Sequence, residues 1–149
     1  MKLVRFGAAG AEKPGLVDAT GTVRDLSVHV RDIDGNVLSP ASLAHLKSID
    51  PKSLPEAPKG VRFGPPVANV RTFIAIGMNY ADHAEETGAP VPTEPIVFDK
   101  LTNCIVGPND DVMMPRDSTK LDWEVEIAAI IGTRAKYVSE ADALNHVAG

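Results

Sequence analysis

Cysteine is nearly missing from this chain: Cys104 stands alone among 149 residues. An internal disulfide is therefore impossible, and nothing points to an oxidising compartment. No apolar run approaches the roughly 18 residues that span a bilayer, and the opening Met1–Phe6 leads into Gly7, Ala8, Ala9 and Gly10 rather than an apolar signal core. A cytoplasmic protein without membrane contact is the expectation. Basic runs are lacking as well; fifteen Lys and Arg against twenty Asp and Glu leave a net charge of −5, which argues against a nucleic-acid partner. Three signatures are also missing: G-x-G-x-x-G, G-x-x-x-x-G-K-[ST] and G-x-S-x-G. Dinucleotide binding and serine hydrolysis thereby lose their usual marks. With 44% hydrophobic and 23% charged residues, the chain has the proportions of an ordinary globular domain able to bury a core.

The first thirty residues read as short antiparallel strands. Lys2–Phe6 is one, and Gly15–Val17 and Thr22–Val23 flank the turn Asp18–Gly21. Ser39 and Pro40 form an N-cap and first-turn pair, and Leu43, Leu46 and Ile49 recur every three residues, so a helix over about 40–48 should cover this meander. Between Asp50 and Pro66 lie five prolines in seventeen residues, which favours an extended connection and places a domain boundary there. The expected domains are thus 1–65, with a Pro-rich linker from about 50, and 66–149.

Beyond the linker, Thr72–Gly77 reads as a strand buried on both faces, Asn79–Glu86 as a short polar helix closed by Gly88, and Ile96–Phe98 as the next strand. Gly107–Asp110 is a turn, Leu121–Ile131 the longest strand candidate, and Ser139–Asp142 a capping box opening a last helix to about Val147. The chain stops at Gly149 before any strand that helix could deliver, as an unfinished domain would.

Two patterns carry chemistry. In Leu121–Ile127, strand alternation puts Leu121, Trp123, Val125 and Ile127 on one face and Asp122, Glu124 and Glu126 on the other. The Glu124 and Glu126 Cα atoms would lie roughly 6.5 to 7 Å apart, near enough for both carboxylates to reach one cation, and oxygen-only ligands suit Mg²⁺, Mn²⁺ or Ca²⁺ better than zinc. A solvated strand face is the usual fate of an E-x-E. Here Ala128–Ile131 continue without polar alternation, so the acidic face is expected to point at an enclosed site, where an unmetallated pair would repel or hold a proton. The second pattern is His83-Ala84-Glu85-Glu86, which places His83 and Glu86 one turn apart on a helix face, a general-base arrangement that charged surface helices also produce. The proline-rich stretch after Gly88 would make that helix part of a lid. Lys100 at a strand end could meet an anionic substrate or simply be a surface lysine. Cys104 is expected in the core, and His29, His45, His146 and Trp123 in structural roles.

Three segments, Ile74–Glu86, Pro95–Phe98 with Ile105–Asp110, and Asp122–Glu126, in this order and spacing resemble the fumarylacetoacetate hydrolase family, in particular its bacterial branch of 2,4-diketo acid hydrolases, ureidoglycolate lyases and hydroxymuconate-type isomerases. The match covers about 70–149, and residues 1–65 are similar to the small accessory domain of that branch. The resemblance implies an α+β, β-rich fold: a small β-meander and helix domain followed by the first part of a mixed β-sandwich roll. It further implies a Mg²⁺ or Mn²⁺ ion held by Glu124 and Glu126, an acid/base pair of His83 and Glu86, and often a homodimer at full length, with the family's substrate-binding lysine beyond Gly149; within this chain Tyr80 and Lys100 are the expected substrate contacts. In such enzymes the metal chelates a small anionic 2-oxo acid and stabilises an enolate-like leaving group, while a histidine-activated water attacks the distal carbonyl and the C–C bond breaks. Lyase, isomerase or decarboxylase chemistry on the same scaffold is the alternative, and a catalytically silent assembly partner is the alternative of another class. The family's third carboxylate ligand, an aspartate, would fall beyond Gly149, so the chain is expected to hold roughly the first half of the enzyme.

Overall fold

The computed structural model describes all 149 residues. Its strands are β1 (Lys2–Phe6), β2 (Lys13–Val17), β3 (Val23–Asp25), β4 (Phe73–Gly77) and β5 (Ile96–Lys100). Its α-helices are α1 (Pro40–Ser48) and α2 (Ala81–Thr87), and short 3-10 turns occupy Pro51–Ser53, Thr102–Cys104 and Glu140–His146. The result is a mixed, β-rich chain with antiparallel sheets and few helices, divided into two compact units: 1–69 with 106–149, and 70–105. No helix is long and apolar enough to cross a membrane.

In the larger unit β1, β2 and β3 form the expected meander, with Leu3 opposite Leu16 and Leu16 opposite Arg24. Helix α1 begins where the sequence signals it: the Ser39 hydroxyl accepts the Ser42 N–H at 3.3 Å, and Pro40 occupies the first turn, where a missing N–H costs nothing. The helix buries Leu46, 1% exposed, in a cluster with Leu16, Leu26 and Leu54, so α1 covers the meander.

The proline-rich stretch is extended but not loose. Asp25 donates its N–H to the Pro55 carbonyl and Ala57 to that of Val23, while Gly7 donates to Arg62 and Gly64 to Arg5. One segment therefore makes an isolated bridge to the β3 edge, Arg24 with Glu56, and then one to the end of β1, Phe6 with Phe63, which blunts both sides of the small sheet. Proline density prevents a regular ladder, yet the few remaining N–H groups suffice for both bridges.

A relay of charges fastens the later chain to this body. Arg5 grips Asp32 with two bonds, Nε–Oδ1 at 2.6 Å and Nη2–Oδ2 at 3.0 Å, and approaches Glu12 at 3.5 Å. Glu12 accepts from Arg62 at 2.9 Å, and Arg62 holds Asp110 through Nε–Oδ1 at 2.7 Å and Nη2–Oδ2 at 2.5 Å. The Arg62 guanidinium, helped by the Gly107 N–H, holds the Asp110 carboxyl below the usual carboxylate range. Gly107 is needed at this joint, because a Cβ there would run into the Phe63 carbonyl oxygen.

Further on, Ile130–Gly132 lie beside His146–Gly149 through bonds including Ala148 N–H to Ile130 O at 2.7 Å. The last helix forms only as a 3-10 turn, capped as expected by Ser139, which accepts from Asp142 N–H. Leu121–Ile131, anticipated as the longest strand, belongs to no strand of either sheet; only Ile131 makes an isolated bridge, to Val147. An alternating sequence becomes a strand only where a neighbour buries its apolar side, and here Trp123 is 79% and Ile127 93% exposed.

In the smaller unit β4 and β5 pair antiparallel, Ile76 against Val97, with α2 in the connection. The strand expected to be buried on both faces is open on one: Ile74 is 58% exposed, because a two-stranded sheet has too little to cover it. Cys104, expected in the core, is exposed at the end of a 3-10 turn.

Leu46→Ala should cost about 2–5 kcal/mol in urea unfolding, the range for emptying a filled core site. Because the folded Asp110 pKa is lowered, its stabilisation is present above the unfolded value near 4 and is lost as pH falls through the lowered one. Asp110→Asn should therefore be less stable at pH 7, with a shallower loss of stability below about pH 4, as followed by acid titration of circular dichroism.

Candidate functional site

The smaller unit holds four of the six candidate residues. Strand β4 ends at Gly77, and the chain then turns sharply, with Met78 left-handed at φ 51°. A β-unbranched residue tolerates this region at some cost, and such strain is kept where surrounding structure enforces it. Met78 was not singled out by sequence reasoning; nothing in its side chain signals a backbone constraint. Tyr80 follows at the N-cap of α2 without capping it by side chain, the residue 42% exposed.

Helix α2 then presents His83 and Glu86 to solvent one turn apart, while Ala84 is its buried residue. The imidazole and the carboxylate are on neighbouring positions of one face and share no hydrogen bond; the Asp82 carboxylate accepts the His83 backbone N–H at 2.9 Å, and the Thr87 hydroxyl donates to the His83 carbonyl at 2.9 Å. Gly88 closes the helix in the left-handed conformation, φ 67°, and returns its N–H to the last turn. Lys100 is the final residue of β5, opposite Phe73 and partly buried.

The remaining two candidates, Glu124 and Glu126, lie in the larger unit, in the stretch outside the sheets. Both are exposed, so the expected enclosed acidic face is not present in this chain. Neither unit contains three His, Cys, Asp or Glu side chains grouped to hold an ion. Two glutamates are hard oxygen donors of the kind Mg²⁺ or Mn²⁺ accepts, but they fill only a minor part of an octahedral sphere. As a resident metal centre the donor set of this chain is insufficient by itself.

The sequence model described as "Fumarylacetoacetate (FAA) hydrolase C-terminal" matches residues 72–149, more than half the chain and all six candidates. The chain belongs to the fumarylacetoacetate hydrolase family. A protein of Burkholderia ambifaria named "Putative hydrolase" is 56% identical over 149 residues, covering 100% of this chain and 53% of its own length. A similarly named Burkholderia cenocepacia protein is 55% identical with the same coverage. Among solved structures, a fumarylacetoacetate hydrolase from psychrophilic Exiguobacterium antarcticum superposes with a TM-score of 0.76 at 30% identity, covering 99% of this chain and 52% of that one. A Mycobacterium smegmatis structure described as a putative HpcE protein gives 0.75 at 27% identity, covering 96% and 51%. The chain thus spans about half the length of the relatives it matches.

Replacing Gly88 by Ala forces a Cβ into a left-handed cap and should cost about 1 kcal/mol. The expected local signature is faster amide exchange at Gly88 and Ala89, whose N–H groups close the last turn.

Proposed function

We propose that this chain forms part of a divalent-metal-dependent hydrolase that cleaves a C–C bond in small 2,4-diketo acids of the acylpyruvate type. One observation supports the reading: the family match spans 72–149, the stretch in which Tyr80, His83, Glu86, Lys100, Glu124 and Glu126 all lie. A hydrolase is the family-level activity; the substrate and the ion are our inference.

His83 takes a proton from water, and the oxygen so freed adds to the distal carbonyl. Glu86 stands one turn away on the same helix face, where its carboxylate would orient the ring through a shared water. The C–C bond then breaks, its electron pair passing to the 2-oxo acid fragment as an enolate. Proton return from His83 gives the 2-oxo acid, and the other fragment leaves as a carboxylic acid. Lys100 suits the anionic end of such a substrate by charge, and the Tyr80 hydroxyl suits its oxygens by hydrogen bonding. Glu124 and Glu126 would be two of several oxygen ligands of Mg²⁺ or Mn²⁺, which needs further donors.

The assay is loss of acylpyruvate enol absorbance with Mn²⁺ present, using the chain joined to the half of the Burkholderia ambifaria relative that it does not span. His83→Ala should lower kcat about 10²- to 10⁴-fold while leaving Mn²⁺ affinity unchanged. Glu124→Gln should instead weaken Mn²⁺ binding in calorimetry. A folded assembly that leaves acylpyruvates intact, or a Glu124→Gln form with unaltered Mn²⁺ binding and turnover, overturns the reading.

A further inference from the structure

The chain has four histidines, and the hydrolytic chemistry uses one of them, His83. Two of the others meet. The rings of His29 and His45 lie 6.2 Å apart between centroids, their planes at 64°, although one comes from the turn after β3 and the other from the last turn of α1. Both residues are exposed. Neither ring is engaged by a hydrogen bond or ion pair within the chain, whereas the fourth histidine, His146, has its Nδ1 2.8 Å from the Thr133 hydroxyl. Both nitrogens of each ring in the pair are therefore open to a ligand from outside the chain.

The meeting is set by the core beneath it. The carbonyl of fully buried Leu26 accepts the His29 N–H at 2.8 Å and the Val30 N–H at 3.1 Å, and Val30 packs on the cluster of Leu16, Leu26, Leu46 and Leu54. His45 directly precedes Leu46 of the same cluster. One hydrophobic cluster thus holds both backbones, and a shared ligand has only side-chain rotamers left to fix. The position in the last turn of α1 adds the negative end of the helix dipole, which favours a cation there.

A zinc-type ion sits about 2.0–2.1 Å from an imidazole nitrogen, itself about 1.1 Å from its ring centre, so two rings reach one ion at centroid separations up to roughly 6.4 Å. The observed spacing falls within that reach. We propose that His29 and His45 form a two-imidazole site for a borderline divalent ion of the Zn²⁺, Ni²⁺ or Cu²⁺ class, completed by water, which ties the turn after β3 to α1. Imidazole suits these ions and not Mg²⁺, so the site is distinct in chemistry from the Glu124 and Glu126 carboxylates, and it rests on none of the hydrolytic chemistry.

The test is a Zn²⁺ titration of the 149-residue chain carrying ¹⁵N-labelled histidine, followed through the ring nitrogens by NMR. The His29 and His45 resonances should move together and saturate at one ion per chain, with His146 unmoved and Mg²⁺ without effect on any of them. His29→Gln and His45→Gln should each weaken Zn²⁺ binding about tenfold or more, and the double variant should lose little beyond either single one, because one imidazole left alone chelates nothing. His83→Gln should leave this binding unchanged. Two rings that saturate at different Zn²⁺ concentrations are independent surface imidazoles and overturn the proposal. So do losses that simply add in the double variant, or a His45→Gln chain that binds as before. Turnover enters none of these readouts, so failure of this site and failure of the acylpyruvate reading are seen separately.

Discussion

The larger unit depends on one side chain more than on any other. Arg62 spends its whole guanidinium on three partners: Glu12 near the start, the Gly7 carbonyl beside it, and Asp110 after the excursion of residues 70–105. Each partner alone is replaceable in principle, but the fork geometry lets one residue bring all three to a common point. Asp110 and Glu12 in turn raise the affinity of Arg62 for its proton, so the guanidinium keeps its charge throughout the range in which the two carboxylates are ionised. Glu12 also passes the constraint to Arg5 and Asp32, the former itself buried. Single removals would strand a charge in a part-buried setting, which is why such relays behave as units.

The meander, the cap of α1 and its covering role were all legible in the sequence, because each rests on local chemistry: alternation, a serine hydroxyl, a proline where no N–H is wanted. The Gly88 stop of α2 was legible for the same reason. Residues 121–131 were misjudged although their alternation is clean. A strand is a joint property of two segments, and this segment's neighbour is supplied by neither sheet here. The expected burial of Ile74 and Cys104 failed on the same point, since burial depends on what lies opposite. The edge-blunting role of the proline-rich stretch was invisible for a further reason: its few bonding N–H groups lie between prolines, and composition registers only the prolines.

The candidate residues divide by how they are held. His83 and Glu86 ride on a helix closed by a glycine and entered through the strained Met78 turn, so their spacing is set by backbone geometry within the smaller unit. Glu124 and Glu126 lie on a segment whose conformation no sheet fixes. Both glutamates are exposed along with Trp123 and Ile127 on the same stretch, and precise chemistry from side chains requires supporting structure.

Synthesis order gives the Arg62 relay a further meaning. Arg62 and Glu12 are both present once the first 69 residues have left the ribosome, together with the two blunted sheet edges and the leucine cluster. Asp110 follows 48 residues after Arg62, a delay of about 2 to 10 seconds at typical elongation rates. During that interval the guanidinium can meet Glu12 but not Asp110, so Asp110 is the last of its partners to be made.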